Sequence, residues 1–479
     1  MQFDLLHLGS LVALAHVLGA IAACHAILNT RTSQGAIAWA VSLVAMPYLT
    51  LVPYLFLGRS KFAGYADARR IENESLRTAS HPPEWDAYAS SGGRPTDEMG
   101  HRVIRSLTRL GGMPFLPGNT VRTLVNGEAT FSAILEAIAA AQKYVIVQFF
   151  IVRADALGDM LKDMLIAKAA QGVRIYFLYD SIGSFDLPHR YTSQLRAGGV
   201  EVHPFATNRR FVNRFQLNFR NHRKIVVVDG ERAFVGGHNV GVEYLGGHPP
   251  LSPWRDTHIE LRGPAVASVQ FVFTEDWYWA TQQLPEFASP PFDSPDEGMH
   301  CLVIPSGPAD RQETCSLFFV EAINAAHERI WITTPYLVPD EAVFSALRLA
   351  AMRGVDVRIL IPSRRDHIVV FEASKLYAYD AVRAGVRIFR YRPGFLHQKV
   401  VLIDSVAAAV GSANLDNRSF RLNFEIMVLT VDRGFAAEVE VMLMRDFQNS
   451  FEINRDEYRR APAWRRMAMH VARLFSPVL

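Results

Sequence analysis

One string in this chain occurs twice. NHRKIVVVDGERAFVGGHN, residues 221 to 239, returns as LHQKVVLIDSVAAAVGSAN, residues 396 to 414. Each copy sets His, Lys and Asp as H-x-K-x-x-x-x-D, adds a small pair, Gly236-Gly237 or Gly411-Ser412, and then reaches Asn239 or Asn414 at the same offset. Lysine is seldom buried without a partner, so Lys224 and Lys399, each leading a Val/Ile run, point to a polar site rather than to two ordinary core strands.

The sequence around the motif repeats as well. FSAILEAIAAAQ reads as a helix, YVIVQFF as a buried strand, ADALGDMLKDMLIAKAAQG as a helix closing on glycine, and VRIYFLYD and VEVHPF as further strands. CSLFFVEAINAAH, RIWITTPYLV, PDEAVFSALRLAAMRG, VDVRILIPS and VRIFRY then follow in the same order. Alternation of this kind implies βαβ units. The expected fold is α/β, with two duplicated domains, residues 118–284 and 299–458, whose mixed, largely parallel sheets lie between helices. A Pro/Ser-rich linker at 285–298 separates them, and a polar, turn-rich connector at 61–117 precedes them.

Residues two apart on a strand share a face, which groups His222 with Lys224 and His397 with Lys399. Imidazole, ammonium and a nearby asparagine amide suit an anion with tetrahedral oxygens, above all phosphate. Two such sets at one pseudo-twofold cleft would supply one neutral, nucleophilic histidine and one acidic one. The candidate catalytic set is His222, Lys224, Asp229, His397, Lys399 and Asp404, with Asn239 and Asn414 as phosphate binders. Within it Asp229 and Asp404 stand at an odd offset from their histidines, which favours anchoring a strand end over proton transfer. Asp256 in WRDTHIEL and Glu425 in NFEIMVL are better placed to orient the imidazoles. Metal is not required: His238 and His258 could join His222 as ligands only in the first half, and they read as ordinary histidines.

The N-terminus is built differently. Leu5 to Leu28 and Ala36 to Leu57 carry no formal charge, and each is long enough to cross a bilayer as a helix, giving a transmembrane hairpin at 1–60. The loop between them holds Arg31, whereas Arg59, Lys61, Arg69 and Arg70 follow the second stretch, so the main body is expected on the cytoplasmic side. His16 and His25 fall within the first stretch; they could mark function within a membrane or pack helices as neutral residues, and they are left out of the site. Arg209, Arg210 and Arg214, set among aromatics just before the first motif, suit a contact with anionic headgroups. The C-terminal 459–479 reads as a basic amphipathic helix on anionic lipid, the alternative being a helix docked on the domain with its arginines in solvent. Three cysteines in no metal-like spacing argue against a disulfide framework, and a net charge of +3 singles out no partner.

The paired HxKxxxxD motifs resemble those of the phospholipase D superfamily. The flanks YLFLGR, GGHNVGVEYLG, PWRDTHIELRGP, TTPYLVPD, SRRDHIVV and GSANLDNRSFRLNFE are similar to the membrane-anchored bacterial cardiolipin synthases within it. This resemblance covers nearly the whole chain. It implies metal-free, cofactor-free transfer of a phosphatidyl group between two phosphatidylglycerol molecules through a phosphohistidine, with His222 as nucleophile and His397 as acid and then base. It also implies an enzyme of the bacterial inner membrane with phosphatidylglycerol and other anionic phospholipids as partners and no nucleic acid. Hydrolysis of phospholipid to phosphatidic acid is the alternative at the same site. A nuclease and a non-enzymatic membrane scaffold are the more distant ones.

Overall fold

The computed structural model describes residues 2–30, 32–58, 94–205, 218–247, 249–286 and 298–479. The basic residues following the second apolar stretch, Arg209, Arg210 and Arg214, and most of the Pro/Ser-rich linker lie outside these residues.

Both halves build a sheet in one order. The first uses Leu116–Val125 (β1), Tyr144–Phe149 (β2), Arg174–Asp180 (β3), Glu201–Phe205 (β4), Ile225–Val228 (β5), Arg232–Gly236 (β6) and Thr257–Arg262 (β7), arranged β1-β7-β6-β5-β2-β3-β4. The second uses Met299–Ser306 (β8), Arg329–Thr333 (β9), Asp356–Pro362 (β10), Arg387–Tyr391 (β11), Val400–Ile403 (β12), Ala407–Gly411 (β13) and Asn423–Val431 (β14). Their order is β8-β14-β13-β12-β9-β10-β11, with Ser450–Glu452 (β15) at the outer edge. β1 and β8 pair antiparallel at the centre, Leu116 opposite Cys301, so a local twofold runs between them. The halves thereby form one continuous sheet of sixteen strands, counting the short Arg220–Asn221 beside β14. One apolar core crosses the boundary: Leu116, Ile259 and Trp277 of the first half and Leu302, Ile330 and Val428 of the second belong to the same packed cluster.

The duplicated α/β architecture is the one expected, but its strands are mostly antiparallel. Among the longer strands, parallel pairing is confined to β2-β3-β4 and β9-β10-β11, and the other parallel pairs are two residues long. The motif strands β5 and β12 pair antiparallel on both sides. The cause is a tight reversal. Asp229 (φ 54°) and Gly230 (φ 74°) are both left-handed, and Glu231 N–H donates to the Val228 carbonyl at 3.0 Å, which folds β5 back on β6 as a hairpin. A run buried on both faces carries no mark of its direction.

At the N-terminus Gln2–Asn29 forms one helix, of which Gly9–Asn29 is long and apolar enough to span a membrane. The second stretch does not form the single span expected. It divides into Ser33–Ala45 and Pro47–Leu57 at Met46, because Pro47 offers no N–H and disfavours helical backbone just before it. Ala23, Ala26, Leu43 and Tyr54 pack these helices together, and His25 Nδ1 lies 2.7 Å from Tyr54 Oη. His16 Nδ1 lies 2.9 Å from the Val12 carbonyl. Both histidines therefore have partners inside the helical cluster.

Candidate active site

Two short parallel contacts tie the halves together where the motifs meet. Arg220–Asn221 pairs with Asn423 and Phe424, and Trp254–Arg255 pairs with Phe395–Leu396. Each contact delivers a histidine to the opposite half: His222 N–H donates to the Phe424 carbonyl at 2.9 Å, and His397 N–H to the Arg255 carbonyl at 2.8 Å. The residue after each of those carbonyls is a carboxylate, so the pairing crosses. His222 Nδ1 lies 3.0 Å from Glu425 Oε2, and His397 Nδ1 lies 2.7 Å from Asp256 Oδ2. Both carboxylates were legible in the sequence; their exchange between halves was not.

A cavity of about 730 Å³ opens over the two histidines. Asn239 and Asn414 line it with them, Trp254 borders it, and Ile368 and Leu479 stand farther out. Each asparagine amide nitrogen donates once within the protein, Asn239 Nδ2 to Tyr244 Oη at 3.2 Å and Asn414 Nδ2 to Asp416 Oδ2 at 3.1 Å, while Asn239 Oδ1 accepts from the Ile151 N–H at 3.1 Å. A carboxamide has a second N–H, so each still has a proton for an anion. The lysines lie beneath the cavity rather than on its wall. Lys224 is fully buried, donates to the His222 carbonyl at 2.6 Å and sits over the Phe150 ring. Lys399 donates to the His397 carbonyl, and its Nζ also lies 2.9 Å from His397 Nδ1.

Asp229 and Asp404 belong to the motif but not to the cleft, which corrects their inclusion in the catalytic set. Asp229 accepts hydrogen bonds from the backbone N–H groups of Gln142, Lys143 and Tyr144 at 2.7–2.9 Å. Asp404 does the same for His327, Glu328 and Arg329. Each anchors the start of the neighbouring strand, β2 or β9, from the far end of its motif strand.

Burial governs the charges. It brings His222 to about 4 against the opposing pull of Glu425, and with the Lys399 ammonium it brings His397 to about 4. Burial also pushes Lys399 down to about 8 and Lys224 well below the usual lysine range. It would raise both carboxylates, but Lys399 and the neighbouring imidazoles hold Asp256 far below its usual range, and His222 with Lys224 hold Glu425 below its own. Neutral imidazoles thus stand over ionised carboxylates.

Several supporting groups had escaped the sequence reading. Arg223 Nε donates to the Glu425 carbonyl at 3.0 Å while its Nη1 is held by Asp276 at 2.8 Å. Across the twofold, Arg255 Nη1 donates to the Asp256 carbonyl at 2.7 Å and its guanidinium forks onto Asp446. The signal was present as acidic residues inside otherwise apolar helix patterns, FVFTEDWYW and VMLMRDFQ. Phe150 and Trp254 flank the two imidazoles, with ring centroids 4.9 and 5.2 Å away.

The small pairs are also explained. A Cβ on Gly237 would come within 2.1 Å of the Asp256 carboxylate. Ser412 occupies the equivalent place opposite the longer Glu425, and its hydroxyl donates to Glu425 Oε2 at 2.5 Å. His238 and His258 form a buried pair, Nδ1 to Nδ1 at 3.0 Å. Among the described residues no group of three His, Cys, Asp or Glu side chains is placed to hold a metal ion.

Comparison with known proteins fits this geometry. The family model described as "Cardiolipin synthase, PLD-like domain" matches residues 134–247 and 319–447, one segment in each half. Cardiolipin synthase A of Pseudomonas aeruginosa is 60% identical over 474 residues, 99% of this chain and 96% of that protein. The Pseudomonas putida protein of the same name is 56% identical over 472 residues, 98% of each. Among solved structures, phosphatidylserine synthase of Haemophilus influenzae superposes with a TM-score of 0.61 at 15% identity, over 79% of this chain and 100% of that one, a likeness of fold alone. With the family model matched on both sides of the twofold and relatives aligned from end to end, the chain belongs to the phospholipase D-like cardiolipin synthase family.

Proposed function

We propose that the chain is a phosphatidyltransferase that joins two phosphatidylglycerol molecules into cardiolipin and releases glycerol. The observation that carries this reading is the crossed pair: each histidine is held at Nδ1 by the other half's carboxylate, which leaves two Nε2 atoms for one cavity. His222 Nε2 attacks the phosphorus of the first phosphatidylglycerol, and the P–O bond to its headgroup glycerol breaks as His397 gives that oxygen a proton. A phosphohistidine remains. His397, now neutral, takes the proton from the headgroup hydroxyl of a second phosphatidylglycerol, whose oxygen attacks phosphorus as the P–N bond breaks. Cardiolipin leaves, and both histidines regain their starting states.

The roles divide this way because His397 Nδ1 is shared between Asp256 and the Lys399 ammonium, a setting that couples its proton to bound charge. His222 Nδ1 has Glu425 alone within hydrogen-bonding distance among the described residues. The second N–H of Asn239 and Asn414 and the charge of the buried lysines meet the phosphoryl oxygens as negative charge grows on them. The relatives' names support a lipid substrate. Placement in the inner membrane is supported by the Gly9–Asn29 helix, and a return crossing through the two shorter helices Ser33–Ala45 and Pro47–Leu57 would set the catalytic halves on the cytoplasmic side, as the flanking charge favours.

Incubation of the purified protein with phosphatidylglycerol vesicles is expected to yield cardiolipin and glycerol in equal amounts. Phosphatidic acid without cardiolipin would make water the acceptor and the chain a phospholipase. His222→Ala and His397→Ala are each expected to abolish product.

A further inference from the structure

The C-terminal helix Ala463–Leu474 is docked the wrong way round for a soluble protein. Its inward face is held to the helix Ile368–Arg383 largely by arginines: Arg473 bonds Asp380 at 2.8 Å, and Arg465 lies 3.6 Å from Glu372. Met469 and Ala472 are its only buried side chains. Trp464, Met467, Val471 and Leu474 fall at helical spacing on the opposite face, followed by Phe475, and all are exposed, Trp464 by 72% and Leu474 by 77%. A surface helix normally buries its apolar stripe and shows its charges to water. An exposed apolar stripe of this length marks a contact surface.

The segment that follows the stripe reaches the catalytic cavity. Past Phe475 the chain turns through Ser476–Val478 and places Leu479 on the cavity wall, where the Arg418 N–H donates to its carbonyl at 2.8 Å. Alongside, the helix Ile368–Arg383 begins with Ile368 and Val369, both exposed and both lining the same cavity. The helix that carries the stripe thus lies along the helix whose first residues, with Leu479, put apolar side chains at the cavity.

We propose that this stripe, with the Ile368–Val369 rim, seats the cavity mouth on the lipid bilayer, so that substrate passes from membrane to cleft without crossing water. The proposal rests on the lipid substrate read above. A bilayer is the occupant for three reasons. The chain that follows the apolar face ends at Leu479 on the wall of the cavity that a lipid must enter, beside the exposed Ile368 and Val369. Arg466, beside the stripe, and Arg459, just before it, have no acidic partner among the described residues and suit anionic headgroups. The same chain carries an apolar helix able to anchor it to a membrane.

Two measurements on the full-length protein in nanodiscs containing phosphatidylglycerol test this. In a Cys24→Ser background the remaining cysteines, Cys301 and Cys315, are buried, so a spin label on Met467→Cys reports one site. It is expected to collide more with oxygen than with a water-soluble nickel chelate, while a label on the exposed Met160→Cys shows the reverse. Trp464→Glu with Leu474→Glu is expected to lower kcat/KM for bilayer phosphatidylglycerol on the order of tenfold or more, since a carboxylate must then enter the interface. With a short-chain phosphatidylglycerol dissolved as monomers, the same variant is expected to match the unaltered protein.

A Met467 label as water-exposed as the Met160 label overturns the proposal. So does a label shielded from both reagents together with a doubled particle mass, which would make a second copy the occupant. If the unaltered protein turns over neither lipid, the functional reading fails, and the label still decides the docking surface.

Discussion

Replacing Glu425 with glutamine probes the crossed pairing most directly. The carboxylate accepts four side-chain hydrogen bonds: Oε2 from His222 and Ser412, and Oε1 from Ser419 at 2.9 Å and Asn423 at 3.1 Å. An amide of the same shape turns one oxygen into a donor. With its nitrogen toward Ser419 and Asn423, it opposes the Asn423 amide and leaves His222 a neutral acceptor, a loss of about 1.5–3 kcal/mol for a charge-assisted bond. At 1.36 kcal/mol per tenfold in rate, that is roughly 10- to 100-fold. With its nitrogen toward His222, it forces the tautomer that carries the proton on Nε2, the atom that must attack, and a wrong tautomer of this kind costs about 10⁴-fold in a serine triad. Glu425→Gln should therefore slow phosphoenzyme formation by about 10- to 10⁴-fold, depending on which way the amide turns. The assay is single-turnover release of the leaving group, with the phosphorylated peptide trapped in alkali. A substrate whose leaving group needs no proton separates the two halves, because Asp256→Asn and His397→Ala should then keep the burst while Glu425→Gln loses it. A Glu425→Gln burst within about tenfold of the unaltered rate would refute the orienting role. Loss of the burst in Asp256→Asn alone would transfer the nucleophile to His397.

Four further expectations concern charge and packing. Because burial brings both imidazoles to about 4, the acid proton must arrive with the anionic phosphodiester. Calorimetric titration at pH 7 with a non-cleavable phosphatidylglycerol analogue, in buffers of differing ionisation enthalpy, should show net proton uptake, and none would contradict the assignment. The same depressed values make the neutral form the one the fold favours. His222 and His397 therefore add stability above the unfolded histidine value of about 6.5 that is lost as pH falls towards 4, and in detergent Tm should drop more steeply across that window than in a His222→Gln, His397→Gln variant. Asp229→Ala strands three backbone N–H groups and should lower stability by roughly 2–4 kcal/mol while activity at low temperature persists, as denaturant titration and a cold assay would register. Gly237→Ser should abolish activity by displacing Asp256, whereas Ser412→Gly, which loses the hydroxyl's bonds to Glu425 and to the Ile426 backbone, of which only the first reaches the site, should cost about tenfold or less in kcat.

The motif repeat made the duplication and both histidines legible, since equal spacing in two places leaves little else to explain it. The odd offset of Asp229 and Asp404 foretold that they face away, and the backbone N–H groups they accept are the reason. What stayed hidden depends on contacts across the twofold. Nothing local to Asp256 or Glu425 says which histidine it meets, because that is decided by Trp254–Arg255 lying beside Phe395–Leu396 and by Arg220–Asn221 lying beside β14. Strand direction was hidden for another reason: Val226 and Val401 are buried among apolar neighbours, and such runs look alike whether pairing is parallel or antiparallel. The Asp229-Gly230 dipeptide did carry the hairpin signal. Pro47 likewise marked the break in the second apolar stretch. The C-terminal helix displayed two faces in its sequence but not which of them would meet the protein.

The unequal small pairs have a consequence for how the two halves can diverge. In a true homodimer Gly237 with Asp256 and Ser412 with Glu425 would have to be the same residues, because one gene would write both. Fusion into one chain removes that tie, so each carboxylate and the space opposite it can be exchanged together without disturbing its counterpart. The partner of that freedom is mutual dependence. A substitution at residue 425 is felt first at residue 222 and one at residue 256 at residue 397, so neither half can be inherited, transplanted or tuned without the other.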